Sequence, residues 1–434
     1  MTESRRDIGF WTAVSLVIGG MVGSGVFTLP AALAAFGGLS VAAWAIAAGG
    51  SVLLALVFAH LARRKATSGG VYGYTRESFG DLAGFLVAWG YWISVWSANA
   101  ALSLSFAGYA GSLLPGLASS KPAAARLAIA TLWFLTGVNC LGVSAAGRVQ
   151  VVTTSLKLLP LVIVGVGGFM YFEPSHFAAP VLQAGQSYGG LLLAAVTITM
   201  FAFVGLESAT IPTAATRDPQ RTIPRATMIG TVLTALIYVV STAGALSLMA
   251  PEVLAKSSAP FADAARVLGG NGLGIVVAIG AAISSFGSLN GWVLIVGQLP
   301  LAVARDGMFP RPFARLSSRG VPQTGMLISG VLSTGLIVLN YSGADNLVAL
   351  FTKITLISTL STLVPYAFCS LAVFLPGGRR ASHLSVGMAI AAAMAFVYSM
   401  FAIGGAGADV VWMGFLLILG GLPVYVWVRR EVRA

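Results

Sequence analysis

Apolar runs long enough to cross a lipid bilayer recur along the whole chain, and no other feature restricts its fold as much. A bilayer core of about 30 Å takes about 20 residues of helix. Twelve such runs lie near 9–36, 38–61, 82–112, 127–146, 149–172, 188–216, 226–250, 273–304, 322–341, 346–375, 384–404 and 410–428. Only 9% of the 434 residues are charged, and 57% are hydrophobic. Soluble domains carry about a quarter charged residues. So little charge cannot cover a water-facing surface, but it suits lipid, where each span satisfies its own backbone polar groups as a helix. The expected fold class is all-α, a polytopic membrane protein of twelve transmembrane helices.

The basic residues orient these spans. The N-terminal Arg5-Arg6 pair and the run behind it superficially resemble a signal peptide. The run is too long and too glycine-rich for one, and it reads as a retained first span. With that end inside the cell, nineteen of the 25 Lys and Arg fall in cytoplasmic segments. Four (Lys121, Arg126, Lys256 and Arg266) fall outside, and Lys157 and Lys353 fall within spans. This is the bias expected of a cell inner (plasma) membrane protein with both termini cytoplasmic. It also accounts for the net charge of +12. The cations form short clusters rather than a continuous basic stripe, so nucleic acid is not an expected partner.

Two spans share a motif. Val22-Gly23-Ser24-Gly25-Val26-Phe27-Thr28-Leu29-Pro30 in span 1 and Val204-Gly205-Leu206-Glu207-Ser208-Ala209-Thr210-Ile211-Pro212 in span 6 match in Val, Gly, Thr and Pro at identical spacing. Five spans separate them, so the second copy enters the membrane from the opposite face. The expectation is one transport domain, 1–434. It comprises an inverted pair of five-span repeats (about 9–172 and about 188–375) and two appended helices (about 384–428).

Glycines and small residues let a helix unwind at mid-membrane, and the freed N–H and C=O groups then need a cavity or a ligand. A half-helix N-terminus favours a carboxylate, and the carbonyl end of the other half favours an ammonium. An α-amino acid carries both. The competing reading is that such glycines merely allow close helix packing.

These residues resemble the amino acid–polyamine–organocation transporter superfamily. Within it they are most similar to the basic amino acid/polyamine antiporter family, which includes the bacterial arginine/agmatine antiporter. The marks are Gly23-Ser24-Gly25-Val26-Phe27 with Pro30, Ser68-Gly69-Gly70-Val71-Tyr72-Gly73-Tyr74, Phe203-Val204-Gly205-Leu206-Glu207-Ser208, Asp218-Pro219-Gln220-Arg221-Thr222-Ile223-Pro224, and Ala304-Arg305-Asp306-Gly307-Met308-Phe309-Pro310. The resemblance implies alternating access around a central site. It implies that a substrate's α-carboxylate and α-amino groups bind the unwound stretches Met21 to Gly25, Ser24 included, and Phe201 to Glu207, Gly205 included. It further implies Trp292 and Asn99 as contacts for an amine-bearing side chain, Ser358 at the pocket, and Tyr91 and Tyr366 as gating aromatics. A homodimer would be in keeping with the family. Two positions depart from the antiporter pattern. Phe201 stands in place of a tryptophan, which weakens any cation–π contact. Lys157 stands where a small apolar residue is usual. Proton-coupled permeases of the superfamily carry a lysine there, at the place of a sodium ion in sodium-driven relatives.

Ionisable groups inside a membrane are costly and usually functional. Lys157 is either a proton carrier or a permanent ammonium bonded to carbonyls of broken span 1. Glu207 either titrates, pairs with a cationic substrate, or caps N–H groups freed where span 6 breaks. Lys353 lies near a span end, where snorkelling suffices.

No other chemistry stands out. Cys140 and Cys369 read as small core residues, and His60, His176 and His383 are scattered, without metal-ligand spacing. There is no phosphate-cradling loop, so neither ATP nor a cofactor is expected. Asn340-Tyr341-Ser342 fits a glycosylation sequon by chance. A short interfacial helix is expected near 257–269. No span holds the paired acids or histidines of an intramembrane enzyme, nor the filter motifs of a channel. The chain is therefore expected to be a secondary active amino acid transporter and not an enzyme. It would exchange a cationic amino acid for an amine or amino acid. Proton symport of neutral or broad-range amino acids through Lys157 is the alternative.

Overall fold

The computed structural model describes residues 9–64, 70–114, 116, 121–141, 146–183, 185–210, 216–341, 347–375 and 384–433, without the side chains of 12, 24, 121, 146–156, 209, 340, 341, 347 and 431–433. The described residues form helices, 3-10 turns and connecting loops. In chain order the helices are α1 Phe10–Met21, α2 Ser24–Ala34, α3 Leu39–Arg64, α4 Val71–Phe79, α5 Asp81–Leu113, α6 Lys121–Leu141, α7 Ala146–Gly168, α8 Tyr188–Met200, α9 Pro219–Leu248, the single turn α10 Pro251–Leu254, α11 Pro260–Arg305, α12 Gln323–Tyr341, α13 Leu347–Ala372, α14 Val386–Gly405, α15 Ala408–Leu419 and α16 Gly421–Arg433. Eight helical segments are long and apolar enough to cross a membrane, and shorter apolar helices occupy Lys157–Tyr171, Tyr188–Phe203 and Gln323–Leu339. Each of the twelve apolar runs contains helix among the described residues.

Local chemistry sets the helix ends. Proline opens α9, α10 and α11, where its missing N–H costs nothing and its fixed φ suits the first turn. Ser187 and Ser385 cap α8 and α14 by accepting from the N–H groups of Gly190 and Met388. The long α11 is two helices joined at Gly269 and Gly270, the latter at φ +74°. Its first part is the short helix expected near 257–269. The sequence reading contains no α4, and it runs 410–428 through without the break that separates α15 from α16 at Gly420.

Helix α5 lies at the centre, buried from Gly84 to Gly111 on almost every side, as an all-round apolar helix must be. It packs along α11 and α13, while α9 packs along α3 and α7. The half-helices α1 and α2 fit among these, α1 against α9 and α2 against α5, α8 and α11. At the periphery α14 exposes Val386, Ile390, Met394, Val397 and Phe401. Their spacing puts them on one face, and an outward apolar stripe of this size suits lipid, not water.

Candidate substrate-binding site

The first span comes apart where the paired motif lies. After α1 ends at Met21, Val22 turns to ψ 85° and Gly23 to φ −123°, ψ −139°. Helix α2 then starts at Ser24 with no side chain capping its N-terminal N–H groups. The sixth span does the same. Helix α8 tightens into a 3-10 turn at Phe201–Phe203 and opens at Val204 (ψ 129°), and a second 3-10 turn follows at Ser208–Thr210. Both breaks fall inside the expected stretches, Met21 to Gly25 and Phe201 to Glu207.

Glycine brings the two breaks together. Gly205 sits at φ +107°, in the region that L side chains rarely adopt. A Cβ there would stand 2.8 Å from the backbone carbonyl of Gly20, and one on Gly25 would stand 3.0 Å from Ala202 Cα. Between the breaks lies a small hollow. Met21, Gly23 and Gly25 line it from span 1, Phe201 and Val204 from span 6, Trp292 from α11, and Ala98 and Leu102 from α5.

Of the residues singled out in the sequence, Met21, Gly25, Phe201 and Trp292 therefore face one hollow. Gly205 adjoins it. Asn99 follows Ala98 on α5 and is buried, and its Oδ1 has no partner among the described residues. Ser358 donates instead to the Ser94 carbonyl at 2.9 Å, tying α13 to α5. The Ser24 side chain lies outside the described residues. Phe201 meets Phe351 edge to face, with centroids 5.9 Å apart. Lys353 is exposed, Cys369 is buried, and Cys140 is only partly buried near the end of α6.

Glu207, Tyr91 and Tyr366 form one cluster. The two hydroxyls donate to separate oxygens of the Glu207 carboxyl group, and the Gly205 N–H donates to the second oxygen at 3.2 Å. Glu207 thus does take up an N–H freed by the break, as one of its readings required. The hydrogen bonds also draw α5, α13 and span 6 together on one side of the hollow. Tyr366 is backed by Phe58, with centroids 5.3 Å apart.

Lys157 is fully buried in α7 and donates to Ser288 Oγ at 2.8 Å. Ser288 in turn donates to the Val22 carbonyl at 3.2 Å. The ammonium therefore reaches broken span 1 through a hydroxyl on α11 rather than directly. Beyond the Glu207 cluster, near the start of α5, two sequence motifs meet. Tyr72 donates to Asp306 at 2.7 Å, and Arg76 bridges Asp306 at 2.8 Å and Asp81 at 2.9 Å. Arg429 of α16 also holds Asp81. The Arg76 guanidinium and then Arg429 keep the Asp81 carboxyl below the usual carboxylate range.

The sequence reading passed over Gly20, Ala98, Leu102 and Ser288. Alanine and leucine in an apolar span give no signal. Ser288 becomes notable only once Lys157 is seen to point at it.

A helical bundle with outward apolar faces, two helices broken against each other and a hollow between them defines a multi-pass membrane transport protein. The chain matches the amino acid permease family over residues 8–426 and belongs to it. It is 33% identical to the cadaverine/lysine antiporter of Escherichia coli over 84% of this chain and 83% of that one. It is also 33% identical to a candidate arginine/ornithine antiporter of Bacillus subtilis, over 99% and 98%. With the putrescine transporter of Haemophilus influenzae the identity is 30%, over 99% of each chain.

Proposed function

We propose that this permease exchanges a cationic amino acid for an amine or another amino acid by alternating access. Twelve spans carry the site between two inverted repeats, and both termini are cytoplasmic. The observation that carries the reading is the pair of broken helices in backbone contact around one hollow. The uncapped start of α2 offers N–H groups to a carboxylate. Carbonyls of span 6 offer acceptors to an ammonium. Trp292 gives a side-chain cation a ring face, and the unpartnered Oδ1 of Asn99 gives it an acceptor. The relatives named for lysine, cadaverine and putrescine carry this substrate class. The Glu207–Tyr91–Tyr366 cluster closes the hollow on the cytoplasmic side, and Phe201 with Phe351 on the other. The test is uptake of labelled lysine into proteoliposomes. Internal cadaverine or lysine should speed it strongly over empty vesicles. Uptake indifferent to internal substrate would overturn exchange.

One observation favours a second reading, proton-coupled uptake. Lys157 is a buried amine one hydroxyl away from the break in span 1. Releasing and regaining a proton there would alter the charge beside the site. If Lys157 carries the proton, Lys157→Ala abolishes pH-driven uptake and spares exchange.

A further inference from the structure

Ser288 is not where the hydrogen-bonding groups beside Lys157 end. Ser284 and Ser285 lie four and three residues before it on α11, so the three hydroxyls share one face. Ser285 Oγ is 3.2 Å from Ser105 Oγ on α5, and Ser105 Oγ is 2.8 Å from Thr28 Oγ1 on α2. All five residues are buried, and Ser284 Oγ has no partner among the described residues. Thr28 and Ser105 then line a second, smaller hollow with Gly108, Ser258, Val348 and Phe351. It shares no lining residue with the substrate hollow, and the Phe201–Phe351 ring pair stands between the two. It lies toward the end of the bundle opposite the Arg76–Asp306 bridge, where α5 finishes and α13 begins.

We propose that Ser288, Ser284, Ser285, Ser105 and Thr28 form a proton path between Lys157 and the second hollow, separate from the route the substrate takes. The proposal rests on the reading of Lys157 as the proton carrier. A hydroxyl accepts and donates through the same oxygen, so a file of them passes a proton without holding charge. In the transfer, Ser288 turns its hydrogen from the Val22 carbonyl toward Ser284 and Ser285. The Lys157 N–H bond breaks as Ser288 Oγ takes that proton. Each hydroxyl along the file gains one proton and gives up one, and water in the second hollow receives the last. The lysine is left neutral, and nothing is oxidised or reduced. The path requires one bridging water across the helical turn between Ser288 and Ser285, with the unpartnered Ser284 Oγ as a further contact.

Among the described residues no carboxylate is paired with Lys157, whose ammonium meets the Ser288 hydroxyl. Helices α1 and α2 carry no ionisable side chain among those described. Helix α9 carries Arg221 and Arg225 near its start, and Tyr238, whose hydroxyl donates to Ala202. Helix α11 carries Asp263, Arg266 and Arg305 near its ends, and Tyr171 follows α7.

The experiment compares two assays in proteoliposomes: lysine uptake driven by a pH gradient into vesicles without internal substrate, with trapped pyranine reporting proton entry, and lysine exchange at equal pH. Thr28→Val, Ser105→Ala and Ser285→Ala should each slow driven uptake and proton entry about tenfold, the loss of one hydrogen-bonded relay step. Exchange should stay within about twofold of the parent. Ser105→Thr, which keeps the hydroxyl, should restore driven uptake. Driven uptake at the parent rate in Ser105→Ala and Ser285→Ala, with Lys157→Ala inactive, would overturn the path and leave Lys157 as carrier. Driven uptake persisting in Lys157→Ala would remove the carrier and the path together. A fall in both assays that Ser105→Thr does not repair would assign these hydroxyls to folding and overturn the path.

Discussion

A side chain on Gly205 would collide with the carbonyl of Gly20, at 2.8 Å from its Cβ. This contact joins the two broken spans and sets the width of the hollow between them. Gly205→Ala adds the collision and also demands φ +107° of an L residue, a strain of about 1–3 kcal/mol. The expected outcome is a folded protein with lower thermal stability in detergent and no measurable lysine binding by calorimetry. Parent-like binding would show that the contact does not shape the site.

Glu207 receives three donors, the Tyr91 and Tyr366 hydroxyls and the Gly205 N–H. Glu207→Gln keeps one acceptor oxygen and turns the other position into a donor, so it faces at least one donor of its own kind. Tyr366→Phe removes a single bond, worth about 1–3 kcal/mol to a carboxyl group. Both variants should loosen closure on the Tyr91 side. Ser361 is buried on α13 five residues before Tyr366, and the thiol of a Ser361→Cys variant should then react faster with a thiol reagent added from that side. An unchanged rate would mean that the cluster does not hold that side shut.

Trp292 lines the hollow beside Phe201. If it meets the substrate's cation, Trp292→Leu should weaken lysine and cadaverine by about 0.5–2 kcal/mol and affect neutral amino acids much less. Phe201→Trp should strengthen cationic substrates. Equal losses for charged and neutral substrates would assign Trp292 to packing.

The Tyr72–Asp306–Arg76–Asp81–Arg429 network has a defined pH response. The Asp81 carboxyl is held low, first by its Arg76 hydrogen bond. Stabilisation from a lowered carboxylate is present above its ordinary pKa and is lost as pH falls through the lowered one. Hydrogen–deuterium exchange of α4, corrected for intrinsic rate, should stay constant from about pH 8 to about pH 5 and rise only below about pH 4. Asp306→Asn should raise it at neutral pH, because Tyr72 and Arg76 both lose a charged acceptor. A change between about pH 8 and about pH 6 would point to another titrating group.

Much of this arrangement was legible before the fold was known. Runs such as 38–61 and 322–341 are mostly apolar and hold no Asp, Glu, Lys or Arg, and lipid leaves a run of that length no alternative to helix. The breaks were legible because Val22-Gly23 and Val204-Gly205 stand in matched motifs five spans apart. Several features were not. Ala98 and Leu102 line the hollow only because of how α5 is rotated, which an all-apolar helix does not encode. Ser358 has the residue type of a ligand contact, but its hydroxyl is used by the Ser94 carbonyl. The Asp306–Tyr72 bond joins residues 234 apart, and only packing brings them together. A direct bond from Lys157 to span 1 carbonyls, one of its two readings, is replaced by a link through the Ser288 hydroxyl, because α11 presents that side chain to the ammonium.

The central claim is that a zwitterion bridges the two broken helices. A cryo-EM map of the protein with saturating lysine tests it most directly. The account predicts lysine between α2 and span 6, its carboxylate within about 3 Å of the N–H groups at the start of α2 and its side-chain ammonium toward Trp292 and Asn99. Lysine bound elsewhere, or helices continuous through Gly23 and Gly205 once it is bound, would contradict it.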